Sequence, residues 1–469
     1  MTIGRIPSLC LVLCYGATAT GGDWPQFRGP EGSGVSADKG VPTEVGPAQN
    51  VIWKTPLPPG HSSPVLNGPN IFLTAYEGRT LLTIALDRAT GKIRWKQPAP
   101  RPRMEYMQEV NSPASPSPVS DGKNVYVFFG DFGIICYSID GEERWKIPLG
   151  PFNNPNGHGT SPILADDLLI LICDQDTDAY LLALDKASGR VRYKIPRPEV
   201  TRGYAVPGVY RPARGPAELI VPGSYYITGY NLASGEKLWW ARGMAWQVKG
   251  VPLIDGDVIY MNGWDVGGDS PAETLAFGDA LVKYDANKDG LISAQEIQTV
   301  FRNFGEYELN RDGLMDEREW NFYRARTGSA NNLMAVRAGG RGDVTDTHVL
   351  WRYRKSLPYV PSPLLYQNVL YLVKDGGVVT TLNPKTGEPH QVGRLPKSME
   401  HYWASPVAAD GKVYMLSEGC KLTVLKAGPK LEILATNDLD DGCFATPAIA
   451  DSRIYLRTRS ALYCFGKKG

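Results

Sequence analysis

The sequence predicts an all-β protein, an eight-bladed β-propeller that carries a small α-helical insertion. Three observations support this prediction. A short proline phrase recurs eight times along the 469 residues, each repeat contains several strand-like runs, and an incomplete last repeat is matched by an orphan strand near the start. Repetition with a period of roughly 20 to 50 residues is typical of propellers and other repeat arrays.

The repeated phrase is a small residue, then proline, then a hydrophobic residue or glycine, followed by an alternating run. Successive prolines lie near 45 residues apart, except for one interval of 111 residues. Eight prolines carry the phrase: Pro64, Pro118, Pro162, Pro207, Pro252, Pro363, Pro406 and Pro447.

The second repeat shows how one period makes one blade. Between its alternating runs, Asp140-Gly141 supplies a hairpin turn, because these residues tolerate positive φ. Four antiparallel strands per period are therefore predicted, and in this repeat they start at Val119, Asn124, Gly133 and Glu143.

The two ends of the chain predict how the ring closes. The eighth repeat stops after Leu462–Phe465 and lacks a fourth strand. The segment Asn50–Lys54 precedes the first repeat and has the pattern of a fourth strand without a blade. Pairing these two segments completes the last blade and removes an exposed strand edge.

The segment Ala85–Trp95 carries Ala, then Asp, then Thr-Gly, then Trp. This order resembles the tryptophan-docking repeat of quinoprotein propellers. The opening Trp24–Pro30 is similar to the start of many exported bacterial proteins with this repeat. The resemblance implies the propeller fold outside the N-terminal signal and the insertion, while a fold alone leaves function open. Degenerate copies of the repeat lie at Ala183–Tyr193, Tyr230–Trp239 and Thr381–Glu388.

Five tryptophans fall at matching positions on predicted fourth strands. Docking between neighbouring blades is the expected role, since it buries a large apolar ring. These residues are Trp53, Trp95, Trp145, Trp239 and Trp351.

The N-terminus has the pattern of a signal peptide over residues 1–19. Arg5 is positive, Ile6–Tyr15 is apolar, and the small residues Ala17–Ala19 predict cleavage after Ala19. Leu13 is too bulky for the lipidation pattern at Cys14. We expect a periplasmic or secreted protein with no transmembrane segment after signal removal.

Charge and cysteine usage exclude some classes of partner. The formal net charge is +1 and no basic stripe occurs, so nucleic acid is not an expected partner. The cysteines beyond the signal form no Cys-x-x-Cys pair, which argues against structural zinc. Their odd number leaves at least one free thiol, and the pairing of Cys420 with Cys443 stays open. The five are Cys136, Cys173, Cys420, Cys443 and Cys464.

The long interval predicts an insertion in the fifth blade. The blade runs through Val258–Met261 and resumes near Leu333–Val336, so the extra residues lie between its second and third strands. We place the insertion at residues 265–331, which divides the propeller into residues 20–264 and 332–469.

The insertion contains a twelve-residue pattern typical of an EF-hand calcium loop, Asp285–Glu296. Gly290 stands at the sharp turn, and hard oxygen ligands favour calcium over zinc. The predicted ligands are Asp285, Asn287, Asp289, Leu291, Ser293 and Glu296.

A second loop follows at Glu308–Glu319, with glutamate where the first position is usually aspartate. Ile292 and Met315 are expected to pair the two loops as a short ribbon. An amphipathic helix through Ile297, Val300, Phe301 and Phe304 should connect them. The predicted ligands of the second loop are Glu308, Asn310, Asp312, Leu314, Asp316 and Glu319.

Residues just before each first strand should rim one mouth of the propeller. In an up-and-down blade the insertion overhangs the same face. Aromatic and cationic side chains there can hold a planar or anionic ligand, or they can be ordinary loop packing. They are His61, His158, Arg202, Tyr204, Trp246, Lys249, Tyr359, Tyr402, Trp403 and Phe444.

Two function classes follow. One is a non-catalytic platform in the cell envelope that binds a protein or a small ligand, similar to the outer-membrane assembly lipoprotein with the same repeat. The alternative is a pyrroloquinoline-quinone-dependent oxidoreductase. The alcohol-oxidising enzymes of that type carry an adjacent cysteine pair, and this sequence has neither such a pair nor a recognisable catalytic pattern. The quinone is therefore not favoured. Calcium is the expected cofactor because of the two EF-hand loops.

Overall fold

The computed structural model describes residues 22–266, 268–269, 271–297 and 304–467. Within them the chain forms eight sheets of four or five strands, and the first strands of neighbouring sheets contact each other. This ring confirms the predicted eight-bladed propeller. The predicted signal peptide lies outside the described residues. No helix in the described part is both long enough and apolar enough to cross a bilayer.

Blades 1 to 4 each use four consecutive strands, as the repeat predicts. The closing strand and these blades are β1 (Val51–Pro56); β2 (Val65–Asn67), β3 (Asn70–Glu77), β4 (Thr80–Asp87) and β5 (Ile93–Ala99); β6 (Val119–Ser120), β7 (Asn124–Phe129), β8 (Gly133–Ser138) and β9 (Glu143–Pro148); β10 (Ile163–Ala165), β11 (Leu168–Cys173), β12 (Tyr180–Asp185) and β13 (Val191–Pro196); β14 (Gly208–Tyr210), β15 (Glu218–Gly223), β16 (Tyr226–Asn231) and β17 (Lys237–Arg242).

Blade 5 has the sheet order β18-β19-β22-β24, and strands β20 and β21 belong to the insertion. Their bounds are β18 (Leu253–Asp255), β19 (Val258–Gly263), β20 (Ile292–Ser293), β21 (Leu314–Met315), β22 (Asn332–Arg337), β23 (Gly342–Asp343) and β24 (Val349–Tyr353). Blades 6 to 8 are β25 (Leu364–Tyr366), β26 (Val369–Lys374), β27 (Val378–Leu382) and β28 (Pro389–Arg394); β29 (Val407–Ala409), β30 (Lys412–Leu416), β31 (Lys421–Lys426) and β32 (Glu432–Asp438); β33 (Ala448–Ala450), β34 (Arg453–Arg457) and β35 (Ala461–Phe465).

The helices are few and short. The α-helices are α1 (Phe277–Tyr284), α2 (Ala294–Ile297), α3 (Glu317–Gly328) and α4 (Thr345–His348). Short 3-10 helices cover Pro30–Gly32, Phe304–Glu306 and Asp375–Gly377.

The ring closes as predicted. Strand β1 pairs antiparallel with β35, with Trp53 opposite Cys464 and Val51 opposite Phe465. The leading segment thus supplies the fourth strand of the last blade, and neither strand keeps a free edge at this junction.

Four of the five repeated tryptophans dock on the next blade. The indole N–H of Trp95 donates to the carbonyl oxygen of Ile139 at 2.9 Å, and that of Trp351 donates to Pro384 at 3.0 Å. The receiving turn needs glycine because Gly141 has a φ of +91°, and a Cβ there would lie 2.9 Å from the Trp95 ring. This contact explains why a glycine precedes the tryptophan in the repeat.

Trp239 departs from the docking pattern. Its indole N–H donates to Glu218 Oε2 of its own blade at 2.7 Å. The reason is that β23, from the chain of blade 5, pairs with β17 in parallel and places Gly342 opposite Trp239. Blade 4 therefore gains a fifth strand.

One disulfide joins Cys420 to Cys443, the pairing that the sequence left open. The remaining cysteines in the described chain are free and buried within strands, as expected of the odd thiol. They are Cys136, Cys173 and Cys464.

Residues 264–331 leave blade 5 between β19 and β22, which pair directly with each other. Inside this segment β20 pairs with β21, and Ile292 lies opposite Met315, which confirms the predicted ribbon. Both side chains are buried with Trp320 in a small apolar core. Val300 and Phe301 of the predicted connecting helix lie outside the described residues, while Ile297 ends α2 and Phe304 begins a 3-10 helix.

Candidate functional site

A ring of hydrogen bonds joins the blades at the residue before each repeat proline. The backbone N–H of Ser63 donates to Ser117 Oγ, and that of Ser117 donates to Ser161 Oγ, both at 2.9 Å. The same contact at 3.0 Å links Val251 to Ser362, Ser362 to Ser405, Ser405 to Thr446, and Thr446 to Ser63.

Blades 4 and 5 interrupt this ring because Val206 and Val251 have no hydroxyl. With no hydroxyl at Val251 to accept it, the backbone N–H of Val206 donates to the carbonyl oxygen of Gly250 at 3.3 Å. The preference for a small residue before proline therefore has a physical cause: a serine or threonine hydroxyl here receives the N–H of the preceding blade.

Above this ring the first strands begin around a cavity of about 290 Å³, which we call the cup. Its lining also includes Asn111, Asn156 and Phe27, and it contains no aspartate or glutamate among the described residues. Six residues of the predicted mouth line the cup: His61, Tyr204, Lys249, Tyr359, Trp403 and Phe444.

Aromatic rings form a continuous arc along one side of the cup. The His61 and Phe444 rings stack with centroids 4.1 Å apart and an interplanar angle of 10°. The Phe444 and Trp403 centroids are 6.4 Å apart, and those of Trp403 and Tyr359 are 6.5 Å apart. The arc ends where Lys249 Nζ lies 4.0 Å from the Tyr359 ring centroid.

Burial shifts the two basic groups of the cup toward neutrality. It lowers the pKa of His61 to about 4, assisted by the positive charges of Arg457 and Arg459. It lowers the pKa of Lys249 to about 8, against the opposing effect of Asp265. Near pH 7, His61 is an uncharged stacking group and Lys249 still carries its charge for most of the time.

The other side of the cup is polar. The Tyr204 hydroxyl donates to Asn154 Oδ1 at 2.9 Å and accepts from Asn156 Nδ2 at 2.6 Å. Asn111 Nδ2 donates to the Asn156 carbonyl oxygen at 2.6 Å, which ties together two loops between blades. Burial raises the pKa of Tyr204, so the phenol stays protonated. This wall offers amide and hydroxyl groups opposite the aromatic arc.

Residues 24–36, which we call the plug, cross the channel beneath the cup. Phe27 lines the cup, while Gln26 and Ser33 line a second cavity on the other face. Arg28 is fully buried, and its guanidinium donates to the carbonyl oxygens of Gly32 at 3.0 Å and Pro363 at 2.9 Å. The plug makes the cup a blind cavity.

Two predicted mouth residues, Arg202 and Trp246, contact the insertion network instead of the cup. Arg202 forms a two-point ion pair with Asp176. Trp246 is buried, and Arg326 of α3 lies with its guanidinium carbon 3.7 Å from the Trp246 ring centroid. Phe322 packs on the same indole, with ring centroids 5.8 Å apart.

His158 and Tyr402 lie behind the walls. His158 is 5% exposed, packs edge-on against Phe128 and Phe152, and has no hydrogen-bond partner at either ring nitrogen in the described chain. Burial lowers its pKa to about 4. Tyr402 is fully buried and shares a hydrogen bond of 2.5 Å with Ser398.

The insertion is docked on the face where the first strands begin. Asn153 Nδ2 donates to the Leu309 carbonyl oxygen at 3.0 Å, and Arg318 Nη2 donates to that of Asp176 at 3.3 Å. Leu309 and Phe322 form a buried apolar cluster with Trp246. The second predicted calcium loop, which contains Leu309, is thus in direct contact with the rim.

Both predicted calcium loops are closed by the glutamate at their twelfth position. Glu296 Oε1 accepts from the backbone N–H of Ala286 at 2.9 Å, and its Oε2 accepts from that of Ser293 at 2.8 Å. Glu319 repeats this pattern with the N–H groups of Leu309 at 2.6 Å and Asp316 at 3.1 Å. The two loops therefore share one hydrogen-bond plan.

The turn residues and one orphan oxygen fit a cation-binding loop. Gly290 and Gly313 have φ values of +82° and +83°, which the sharp turn at the sixth position requires. Glu308 Oε1 is buried without a hydrogen-bond partner in the described chain. No three His, Cys, Asp or Glu side chains of the described residues converge closely enough to hold a metal ion in this conformation.

Sequence reasoning missed part of the cup. The plug residue Phe27 belongs to the Trp24–Pro30 segment. The resemblance of this segment to other proteins did not indicate where in the propeller it lies. Asn111 and Asn156 lie in irregular loops, where no periodic pattern marks them. The small residue before each proline was the one signal that pointed to the hydroxyl ring.

The eight sheets and the tryptophan-docking turns define this chain as an eight-bladed β-propeller, and its repeat is similar to that of quinoprotein propellers. The sequence profile of the family described as outer membrane protein assembly factor BamB matches residues 45–157, which hold the closing strand and the first two blades. Comparison with curated protein sequences gave no significant match.

Solved structures share the whole architecture. BamB from Moraxella catarrhalis has a TM-score of 0.56 at 12% identity, over 89% of this chain and 97% of that one. A europium-containing methanol dehydrogenase has a TM-score of 0.61 at 11% identity, over 95% and 98%. The computationally designed Ika8 protein has a TM-score of 0.54 at 9% identity, over 90% and 100%. At these identities the likeness concerns the fold.

Proposed function

We propose that this chain is an exported, non-catalytic binding platform of the cell envelope that holds a planar or anionic ligand in the cup. The observation that carries the proposal is the construction of the cup, a blind cavity with stacked rings on one side and amides on the other. Such a cavity binds by stacking and hydrogen bonding, and its shape is fixed by the hydroxyl ring beneath.

The charge of the cup favours an anion. Lys249 is the one cation of its described lining, and no carboxylate of the lining neutralises it. The arc from His61 through Phe444 and Trp403 to Tyr359 offers aromatic faces to a planar group. An aromatic carboxylate satisfies both features, with its ring on the arc and its charge toward Lys249.

Calcium belongs to the proposal as the ion that orders the insertion. The oxygen ligands, the two turn glycines and the orphan Glu308 oxygen fit a hard cation with flexible coordination. Leu309 of the second loop contacts the rim, so an ordered loop keeps the insertion docked. Extracellular modules of this type bind calcium at about 10⁻⁴ to 10⁻³ M, which suits a constitutive structural role over signalling.

The alternative is a pyrroloquinoline-quinone-dependent oxidoreductase, and the aromatic arc favours it because a quinone is also planar. The dehydrogenases that the repeat resembles place catalytic acids beside a metal within the ring. The described lining of the cup has no aspartate or glutamate for either task. We therefore favour the platform.

Two assays test the proposal. In the first, purified chain is incubated with the quinone and calcium and then offered alcohols or sugars. It should reduce no more dye than a cofactor-free control, and turnover above that control contradicts the proposal.

The second assay is calorimetry with 2-naphthoate as the planar anion. It should show saturable binding that Lys249→Met and Trp403→Ala each weaken. Lys355→Met, at an exposed lysine away from the cup, is the matched control. Absence of binding at millimolar naphthoate contradicts the proposed ligand class.

A further inference from the structure

On each first strand, the residue two places after the repeat proline turns its backbone groups away from its own blade and toward the channel. In blade 1 this residue is Leu66, whose N–H and carbonyl oxygen both bond to Trp24 of the plug at 2.9 Å. In blade 2 the N–H of Ser120 donates to the Pro25 carbonyl oxygen at 2.9 Å. The plug therefore pairs with the inner edges of these blades as a strand would.

Blade 7 is covered in the same way from the other end of the plug. The N–H of Ala408 donates to the Gly34 carbonyl oxygen at 2.8 Å, and its carbonyl oxygen accepts from the N–H of Ser36 at 2.9 Å. Leu66, Ser120 and Ala408 are 0%, 3% and 0% exposed. Their free edges are thus both bonded and buried by the chain itself.

Blades 3 to 6 have equivalent residues whose backbone groups make no hydrogen bond to the plug in the described chain, although Arg28 of the plug bonds to Pro363 of blade 6. The residues two places after the repeat prolines are Leu164, Val209, Ile254 and Leu365. All four are partly exposed, and all four line a cavity of about 820 Å³ on the face opposite the cup, which we call the cleft. In the described part of the chain, their backbone groups bond to nothing outside their own sheets.

We propose that the cleft binds an extended segment of a partner polypeptide, whose backbone pairs with these four residues as the plug pairs with blades 1, 2 and 7. Unpaired N–H and carbonyl groups at a strand edge are a template for such pairing. The leucine, valine and isoleucine side chains at the four positions favour apolar side chains on the incoming segment.

Charge defines the partner further. Glu31 and Asp255 line the cleft, and neither forms an ion pair within the described chain. The cation of the lining, Arg211, is already paired with Asp166 at 2.7 Å. The cleft therefore has an acidic rim over an apolar floor, and the segment that fits it carries lysine or arginine beside its apolar residues.

A displayed library of random short peptides, selected on the purified full chain, tests the proposal. Enriched peptides should combine apolar and basic residues. Hydrogen exchange should slow at the amides of Leu164, Val209, Ile254 and Leu365 when such a peptide is bound. A version with methylated backbone nitrogens, which keeps every side chain, should lose binding because it lacks the N–H donors.

Variants of one edge residue sharpen the test. Val209→Pro removes an N–H that faces the channel, and we expect it to weaken binding by about fivefold, the effect of one hydrogen bond. Val209→Ala keeps the N–H and should retain most of the affinity. Lack of enrichment, protection that maps to the cup or the insertion, or undiminished binding of the methylated peptide overturns the proposal. So does a self-associating chain that fills the cleft with a second copy.

Discussion

The backbone N–H of Thr446 donates to Ser63 Oγ across 3.0 Å, and this bond joins the last blade to the first. It is one of six such bonds between successive blades, and both groups are buried. The closing strand β1 seals the same junction at the outer edge of the ring. Closure thus rests on an inner and an outer contact between residues far apart in sequence.

The inner contact predicts the effect of Ser63→Ala. The substitution leaves the buried N–H of Thr446 without an acceptor, which should lower the free energy of unfolding by about 1 to 3 kcal/mol. Urea denaturation measures the change. Ser234→Ala, at an exposed turn, is the control and should change it by less than about 0.5 kcal/mol. Equal losses in the two variants would show that closure does not depend on this bond.

The docking of the insertion predicts a local effect of Phe322→Ala. Phe322 is buried against Trp246, so its removal should weaken docking by about 3 kcal/mol, a common cost for a buried phenylalanine. Hydrogen exchange should quicken in α3 and in the loop around Trp246. Val282→Ala, at a site 92% exposed on α1, is the matched control. If hydrogen exchange quickened by the same factor in blade 1, the effect of Phe322→Ala would be global, and this would contradict the predicted local effect.

His158 predicts a loss of stability in acid. Its pKa falls from the ordinary 6.5 to about 4 in the folded chain, because burial penalises the charged ring. The unfolded chain therefore binds the extra proton first, and stability present above pH 6.5 is lost as the pH falls toward 4. The contribution is on the order of 3 kcal/mol.

The measurement compares unfolding of the native chain and His158→Phe at pH 7 and pH 4. Between pH 7 and pH 4 the free energy of unfolding of the variant should rise by about 3 kcal/mol relative to that of the native chain, since phenylalanine has no proton to bind. Val392→Phe, at an exposed site without a titratable side chain, should show a flat difference. A flat difference for His158→Phe as well would mean that this ring is not held neutral by burial.

The fold could be predicted from the sequence because a propeller repeats one local plan. The proline phrase, the hairpin turns and the docking tryptophans each report a contact that recurs from blade to blade. Trp239 shows the limit of this reasoning. Its place on a fourth strand is correct, but β23 of the next blade pairs beside it, and no local pattern of β17 reveals a strand more than 100 residues away.

The cup could be predicted in outline only. Topology correctly indicated which residues precede the first strands, and six of them line the cavity. Arg202 and Trp246 instead meet the insertion, whose position depends on contacts made by Phe322 and Arg326. His158 and Tyr402 are buried behind the walls of the cup. Their burial depends on packing in three dimensions, which a single sequence does not record.

Calorimetric titration of calcium into the purified chain tests the central claim most directly, because the proposed role of the insertion requires that ion. We predict saturable binding with a Kd of about 10⁻⁴ to 10⁻³ M. The double variant Glu296→Gln and Glu319→Gln should lose it, while Glu317→Gln, at an exposed acid of the second loop that is not a predicted ligand, should retain it. No calcium binding at millimolar concentration, or equal binding by the double variant, would contradict the account.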